Sequence, residues 1–271
     1  MDSITNNTAV DPLTVYRSIR RWTTEGETKE FSDCLIREFQ ATIYLNEKEI
    51  ITLLCTPEYL EDLAAGFLVF EGALRSKADL ESITADYDQG QIWVRSRASN
   101  INAERSFKKR YIASGGGKGI SFNNSKDVQG CKPITSDIQI TPRQVLAGMK
   151  DLQTRSMLFQ ATGGVHSALL ASGGEVLMYR ADIGRHNAVD KIIGYCFRQG
   201  FAPGELIMFT SGRMSFEMLL KTAKIGIPIL VSRSAPTDLA VELAEQLGVT
   251  LVGFTRESRF NVYCHPERIA Q

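Results

Sequence analysis

The feature that most narrows the fold is a regular alternation in the second half of the chain. A helical pattern near Ala188 to Arg198 is followed by a strand at Leu206 to Thr210, a helix at Met214 to Ile225 and a strand at Pro228 to Ser232. A helix at Leu239 to Leu247 and a strand at Val249 to Phe254 then complete the run. Each helix returns the chain to begin the next strand in the same direction, so the run predicts a mainly parallel sheet with helices packed on its faces. In such an open sheet the ligand crevice lies beyond the carboxyl ends of the strands. The loops that follow strands are therefore the informative ones.

Those loops share a chemistry. Val176 to Arg180 leads into Asp182-Ile183-Gly184-Arg185-His186-Asn187, and Leu206 to Phe209 into Thr210-Ser211-Gly212-Arg213. Pro228 to Val231 leads into Ser232-Arg233-Ser234, and Val249 to Gly253 into Phe254-Thr255-Arg256-Glu257-Ser258-Arg259. Three of them precede helices, whose unpaired N–H groups favour anions, and Arg grips phosphate with two prongs. Together they predict a polyanion site, such as one for a nucleotide pyrophosphate. Each loop also has a plain reading, since Ser211 and Thr237 suit helix caps and surface arginines are ordinarily solvated. His166 and His186 are open to two readings each, an acid, base or donor at a ligand or a structural histidine, with His186 the better placed beside Arg185. His265 and Cys264 are read as structural.

Upstream, residues 1–30 show no sustained period and read as a partly ordered arm. Residues 31–124 read as a strand-rich unit. In it Phe39 to Leu45 and Ile50 to Cys55 form a strand pair around Asn46-Glu47-Lys48, and Thr56-Pro57 has the chemistry of a helix start. That helix carries Leu60, Leu63, Ala64, Phe67 and Leu68 on one face. Gln91 to Arg95 and Lys108 to Ala113 are further strands, and Ser114-Gly115-Gly116-Gly117-Lys118-Gly119 interrupts regular structure. Residues 125–140 are a polar linker, and 141–271 form the second unit. This unit opens on a capping box, Thr141-Pro142-Arg143-Gln144, and a helix bearing Val145, Leu146, Met149 and Leu152. Ser167 to Ala171 and Val176 to Arg180 flank Ser172-Gly173-Gly174-Glu175 as a hairpin.

Composition excludes several classes. Lys plus Arg and Asp plus Glu number 31 each, so no overall field draws nucleic acid or an anionic membrane, and an anion site must be local. No apolar stretch approaches the ~20 residues of a membrane span and the first residues lack a signal-peptide core, which predicts a cytoplasmic protein. Five scattered cysteines without a C-x-x-C read as reduced thiols rather than zinc ligands. The glycines at 115–119 match neither the phosphate loop nor the dinucleotide fingerprint, and the H-x-E with P-C-x-x-C of zinc deaminases is absent.

The stretch Cys55-Thr56-Pro57-Glu58-Tyr59-Leu60-Glu61-Asp62-Leu63-Ala64-Ala65-Gly66-Phe67-Leu68, with Glu71-Gly72, resembles the signature helix of the formate dehydrogenase accessory sulfurtransferases, the FdhD family. Further blocks similar to that family follow in order: Thr162 to His166, Asp182 to Lys191, Thr210 to Arg213, Gly253-Phe254 and Arg259 to Tyr263. The resemblance implies an α/β fold with an α+β N-terminal part. Its C-terminal part is then a cytidine-deaminase-like three-layer sandwich with a mainly parallel sheet and no zinc site, in a homodimer. It also implies a function: sulfur passes from a cysteine desulfurase to the molybdenum bis(molybdopterin guanine dinucleotide) cofactor before insertion into formate dehydrogenase. On that basis Phe254, Thr255, Arg256, Glu257, Ser258 and Arg259 bind the cofactor, Arg185, His186, Ser211, Gly212 and Arg213 contribute more weakly, and GDP is an analogue. The family's persulfide cysteine maps onto the glycine-rich loop, where Gly116 stands in its place. Glycine has no thiol, and a persulfide needs one. Three explanations are open: an altered residue, a member that keeps cofactor binding without sulfur transfer, or rescue by Cys131 as a weak substitute. The alternative function is a non-catalytic cofactor- or guanine-nucleotide-binding chaperone on the same fold.

Overall fold

The computed structural model describes residues 12–27, 30–97 and 131–270. The strand expected at Lys108 to Ala113, the glycine-rich loop with Gly116 and the start of the polar linker lie outside them. In the N-terminal lobe, β1 (Thr14–Ile19) pairs antiparallel with β4 (Phe31–Ile36), and β2 (Trp22–Thr23) pairs with β3 (Gly26–Glu27). Part of the expected arm is thus strand; its polar, exposed faces gave no period to read. A four-stranded sheet of order β6-β5-β8-β7 follows, made by β5 (Phe39–Leu45), β6 (Lys48–Cys55), β7 (Leu80–Asp86) and β8 (Gln91–Ser96). Ala41, Ile43, Leu53, Ile92 and Val94 are buried on one face of it, against Leu60, Leu63, Ala64, Phe67 and Leu68 of α1 (Leu60–Phe70).

The C-terminal lobe holds a six-stranded sheet of order β10-β9-β11-β12-β13-β14. Its strands are β9 (His166–Ser172), β10 (Glu175–Asp182), β11 (Ile207–Thr210), β12 (Ile229–Ser232), β13 (Thr250–Arg256) and β14 (Arg259–Cys264). The expected alternation holds, but the sheet is mixed. Only the β11–β12 and β12–β13 pairs are parallel, because the β9–β10 hairpin and the unforeseen β14 add antiparallel neighbours. β10 is antiparallel to β9, which is antiparallel to β11, so β10, β11, β12 and β13 run in one direction. Their carboxyl ends meet at one edge, where an open sheet places its ligand crevice. Gly173 and Gly174 take the left-handed conformations that close the β9–β10 hairpin.

Side chains alternate across this sheet and make two cores. Ala168, Leu170, Met208, Leu230 and Leu251 face α4 (Arg185–Gln199), α5 (Phe216–Lys224) and α6 (Asp238–Leu247). Leu169, Ala171, Ile207, Phe209, Ile229, Val231 and Val252 face Val145, Met149 and Leu152 of α2 (Pro142–Arg155). The result is a three-layer sandwich. The capping box at Thr141 is formed as expected, with Gln144 N–H donating to the Thr141 hydroxyl, and a short α3 (Met157–Thr162) follows. The described part of the linker, 131–140, packs along the lobe: Ile134 N–H donates to Leu247 and Ile140 bridges to Ile269.

The lobes are joined by helices in backbone contact. A Cβ on Gly66 of α1 would lie 1.9 Å from the Asp190 carbonyl oxygen of α4, and one on Gly194 would lie 1.8 Å from that of Asp62. Only glycine allows this approach, which seats the Asp62 carboxylate of α1 between Arg180 of β10 (2.7 Å) and Arg198 of α4 (2.6 Å). Arg180 also stacks on the Tyr59 ring, 3.6 Å from its centroid. Gly194→Ala is expected to lower stability by about 1–3 kcal/mol or more, since a backbone carbonyl cannot swing aside. Urea unfolding measures this, and an unchanged midpoint would contradict the close helix pair.

Candidate functional site

The carboxyl edge of the sheet is built by its turns. At the end of β10 the buried Asp182 carboxylate accepts from Gly184 N–H and the Asn187 amide, both at 2.9 Å, which closes the turn and starts α4 at Arg185. Its other oxygen meets Lys191 Nζ at 2.7 Å and the Thr56 N–H at 3.1 Å. Thr56 was expected to open α1. That helix instead begins at Leu60 behind Tyr59, which adopts a left-handed φ of 53°, because two buried charges on the other lobe claim the threonine first.

The loop after β11 is tied to both neighbours. Ser211 does not cap a helix: its hydroxyl accepts from Ser167 N–H at 2.9 Å and faces His166 Nδ1 at 3.4 Å. Gly212 packs against Arg185, where a Cβ would come within 2.9 Å of the arginine's own Cβ, and its carbonyl accepts from the Ser232 hydroxyl at 2.7 Å. Thr237 sits at the start of α6 but makes no side-chain cap. The loop after β12 continues the chain of contacts: Arg233 N–H donates to Thr210, Phe254 N–H donates to Ser234 at 3.1 Å, and the Arg256 guanidinium donates to the Arg233 carbonyl. All four loops therefore meet at one surface.

The stretch 254–259, expected as a loop, is the end of a β13–β14 hairpin. Phe254 holds a φ of 51° and is 43% exposed, Thr255 is fully buried, and Glu257-Ser258 form the exposed turn. Arg256 and Arg259 are directly opposite across the hairpin, a like-charge pairing that costs stability unless an anion lies between. Arg185 and Arg213 are also close enough to repel: burial pulls the Arg185 guanidinium below its usual range, Arg213 adds to this, and Glu217 only partly offsets it. Among the described residues, none of Arg185, Arg213, Arg233, Arg256 and Arg259 is in an ion pair. Arg185 Nε and Thr255 Oγ are buried with no hydrogen-bond partner among the described residues.

Sequence reasoning missed Glu217, which lies at the start of α5 with its carboxylate 3.7 Å from His186 Nε2. That is too long for a hydrogen bond. Burial, and after it Lys221 and Arg185, pushes His186 down to about 4 against the pull of Glu217, so the imidazole is neutral at pH 7. His166 is also lowered, by burial and then by Arg185. The thiols of Cys55, Cys131, Cys196 and Cys264 offer no ready nucleophile: burial pushes Cys55 and Cys196 up to about 12 and Cys264 to about 11, and raises Cys131. No group of three or more His, Cys, Asp or Glu side chains among the described residues could hold a metal ion.

His186 carries a linkage prediction. Its folded pKa lies below the ordinary 6.5, so as pH falls the unfolded chain takes the proton first. Its contribution to stability is complete above about pH 6.5 and is lost between 6.5 and 4. An NMR titration is expected to place the midpoint near 4, and His186→Gln to flatten that part of the acid-stability curve; identical curves would contradict it.

Comparison with known proteins agrees with this architecture. Residues 36–270 match the model of the FdhD/NarQ family. The chain is 43% identical over 261 residues to the sulfur carrier protein FdhD of Bacillus subtilis (strain 168), covering 96% of this chain and 99% of that one. It is 42% identical over 258 residues to the sulfur carrier protein FdhD of Geobacillus kaustophilus (strain HTA426), covering 95% of each. A crystal structure described as a formate dehydrogenase accessory protein from Desulfotalea psychrophila superposes with a TM-score of 0.80 at 28% identity, covering 96% of this chain and 100% of that one. The chain belongs to the FdhD/NarQ family.

Proposed function

We propose that this chain is a sulfur-carrier-family protein that serves formate dehydrogenase by holding the molybdenum bis(molybdopterin guanine dinucleotide) cofactor at the carboxyl edge of its sheet before insertion. The observation that carries the reading is the set of five arginines at this edge, 185, 213, 233, 256 and 259, none of them in an ion pair among the described residues. Repelling guanidiniums want an anion, and an extended one satisfies several at once. The buried, unpartnered Arg185 Nε and Thr255 Oγ add polar groups of the kind that a nucleotide's oxygens would satisfy. Exposed Phe254 offers a face to a base.

Sulfur transfer needs a thiolate, and Gly116 stands where the resemblance places it. The raised thiols of Cys55, Cys131, Cys196 and Cys264 favour a second reading, in which the chain binds the cofactor as a chaperone without carrying sulfur. In either reading it works in the cytoplasm as a homodimer. A cysteine desulfurase is a partner only if the chain also carries sulfur from it to that cofactor. No helix among the described residues is long and apolar enough to cross a membrane.

Calorimetric titration with GDP, GMP and ADP tests the site. GDP is expected to bind most tightly, and Arg256→Ala with Arg259→Ala to weaken it by ~1.5–3 kcal/mol each; unchanged binding would move the site elsewhere. Incubation with a cysteine desulfurase and cysteine, followed by mass spectrometry, separates the readings. No gain of a sulfur atom is expected, and a gain mapped to Cys131 would establish the carrier.

A further inference from the structure

The turn that presents Arg185 and His186 is anchored from the other lobe. Thr56 directly follows β6 in the N-terminal lobe and is fully buried, as are Asp182 and Lys191 of the C-terminal lobe. Thr56 donates its backbone N–H to Asp182 at 3.1 Å, and its hydroxyl lies 3.1 Å from the same carboxylate oxygen and 3.2 Å from the Ala181 carbonyl. Lys191 in turn donates to the Thr56 hydroxyl at 2.7 Å and to its carbonyl at 3.3 Å. A second tie runs beside the first: the Asn187 amide donates to the Leu54 carbonyl at 2.8 Å and to Asp182 at 2.9 Å.

The arrangement is more specific than a buried knot requires. One Asp182 oxygen is spent on Thr56 and Lys191, and the other on Gly184 N–H and Asn187, the residues that bracket Arg185 and His186. Any shift of β6 relative to the sheet pulls on this carboxylate and so on both side chains. We propose that Thr56 is a positioning residue: through Asp182 it sets where Arg185 and His186 meet the anion, so the N-terminal lobe controls binding at the C-terminal edge. This rests on the nucleotide reading of that edge. By linkage the control is reciprocal, and a ligand that needs the aligned turn favours the docked arrangement of the two lobes.

Thr56→Val keeps the shape and the backbone N–H but removes the hydroxyl, and with it the 2.7 Å bond from Lys191 and the second contact to Asp182, so that Lys191 is left with Asp182 and the longer bonds to the Thr56 and Ala181 carbonyls. With GDP as the probe, affinity is expected to fall at least tenfold and the side-chain NMR resonances of Arg185 and His186 to move. Thr56→Ser is expected to restore both. Leu243→Ala, a core truncation in α6, controls for stability: it should lower the thermal midpoint without changing GDP affinity or those resonances. Should Thr56→Val fail to fold, Asn187→Ala cuts the parallel tie and is read in the same way. A folded variant with wild-type affinity and unmoved resonances overturns the proposal. If the wild-type chain does not bind GDP, the nucleotide reading fails by itself, and the resonances alone then decide whether Thr56 places the turn.

Discussion

The contact between Gly66 of α1 and Gly194 of α4 is the constraint from which the rest of the molecule follows. Helices usually pack 8–10 Å apart, with side chains between them, whereas here each backbone meets the other's carbonyl oxygen. The approach brings N-terminal residues within bonding range of the C-terminal sheet. Asp62 reaches Arg180 and Arg198, and Thr56 reaches Asp182 and Lys191. Neither buried group is an obvious source of net stability, because desolvation offsets most of the attraction in such pairs. Their effect is on register: each charge has its partner only when the lobes sit in one arrangement.

That register matters because the edge above it is electrostatically unfavourable by itself. Arginines repel across the β13–β14 hairpin and between the loops after β10 and β11, and Phe254 holds a left-handed backbone that a bulky residue resists. Such costs persist when the surroundings over-determine the geometry, and they cluster at binding sites. The surroundings here are stiff. Gly212, Arg233 and Ser234 backbone groups and the Ser232 hydroxyl link consecutive loops, so the backbone that carries the arginines is placed before any ligand arrives. Preorganisation of this kind spares binding the cost of ordering the loop backbone.

Much of this was legible in the sequence. The alternation of residues 188–254 located the sheet, and the rule that ligands sit beyond strand carboxyl ends selected the four loops the fold brings together. β14 is not announced by the sequence, because Arg259 to Cys264 is short and mixes polar with apolar residues. Thr56-Pro57 has the chemistry of a helix cap, and local chemistry gives no sign that a carboxylate 126 residues away will take the threonine. The Glu217–His186 approach was invisible for the same reason, since it depends on how two helices pack. The Asp182–Lys191 pair is close in sequence but depends on the turn that folds the helix back on the end of β10, which no spacing rule encodes. The glycines at 66 and 194 read as ordinary helix residues of poor propensity, and only the facing backbone explains them.

The most direct test of the account is hydrogen exchange with and without GDP, resolved along the chain. Binding at the carboxyl edge predicts slowed exchange in 182–187, 210–213, 232–234 and 254–259 together, with a smaller effect at Thr56 through Asp182. Protection elsewhere, or in one of these loops without the others, would contradict a single site assembled from all four.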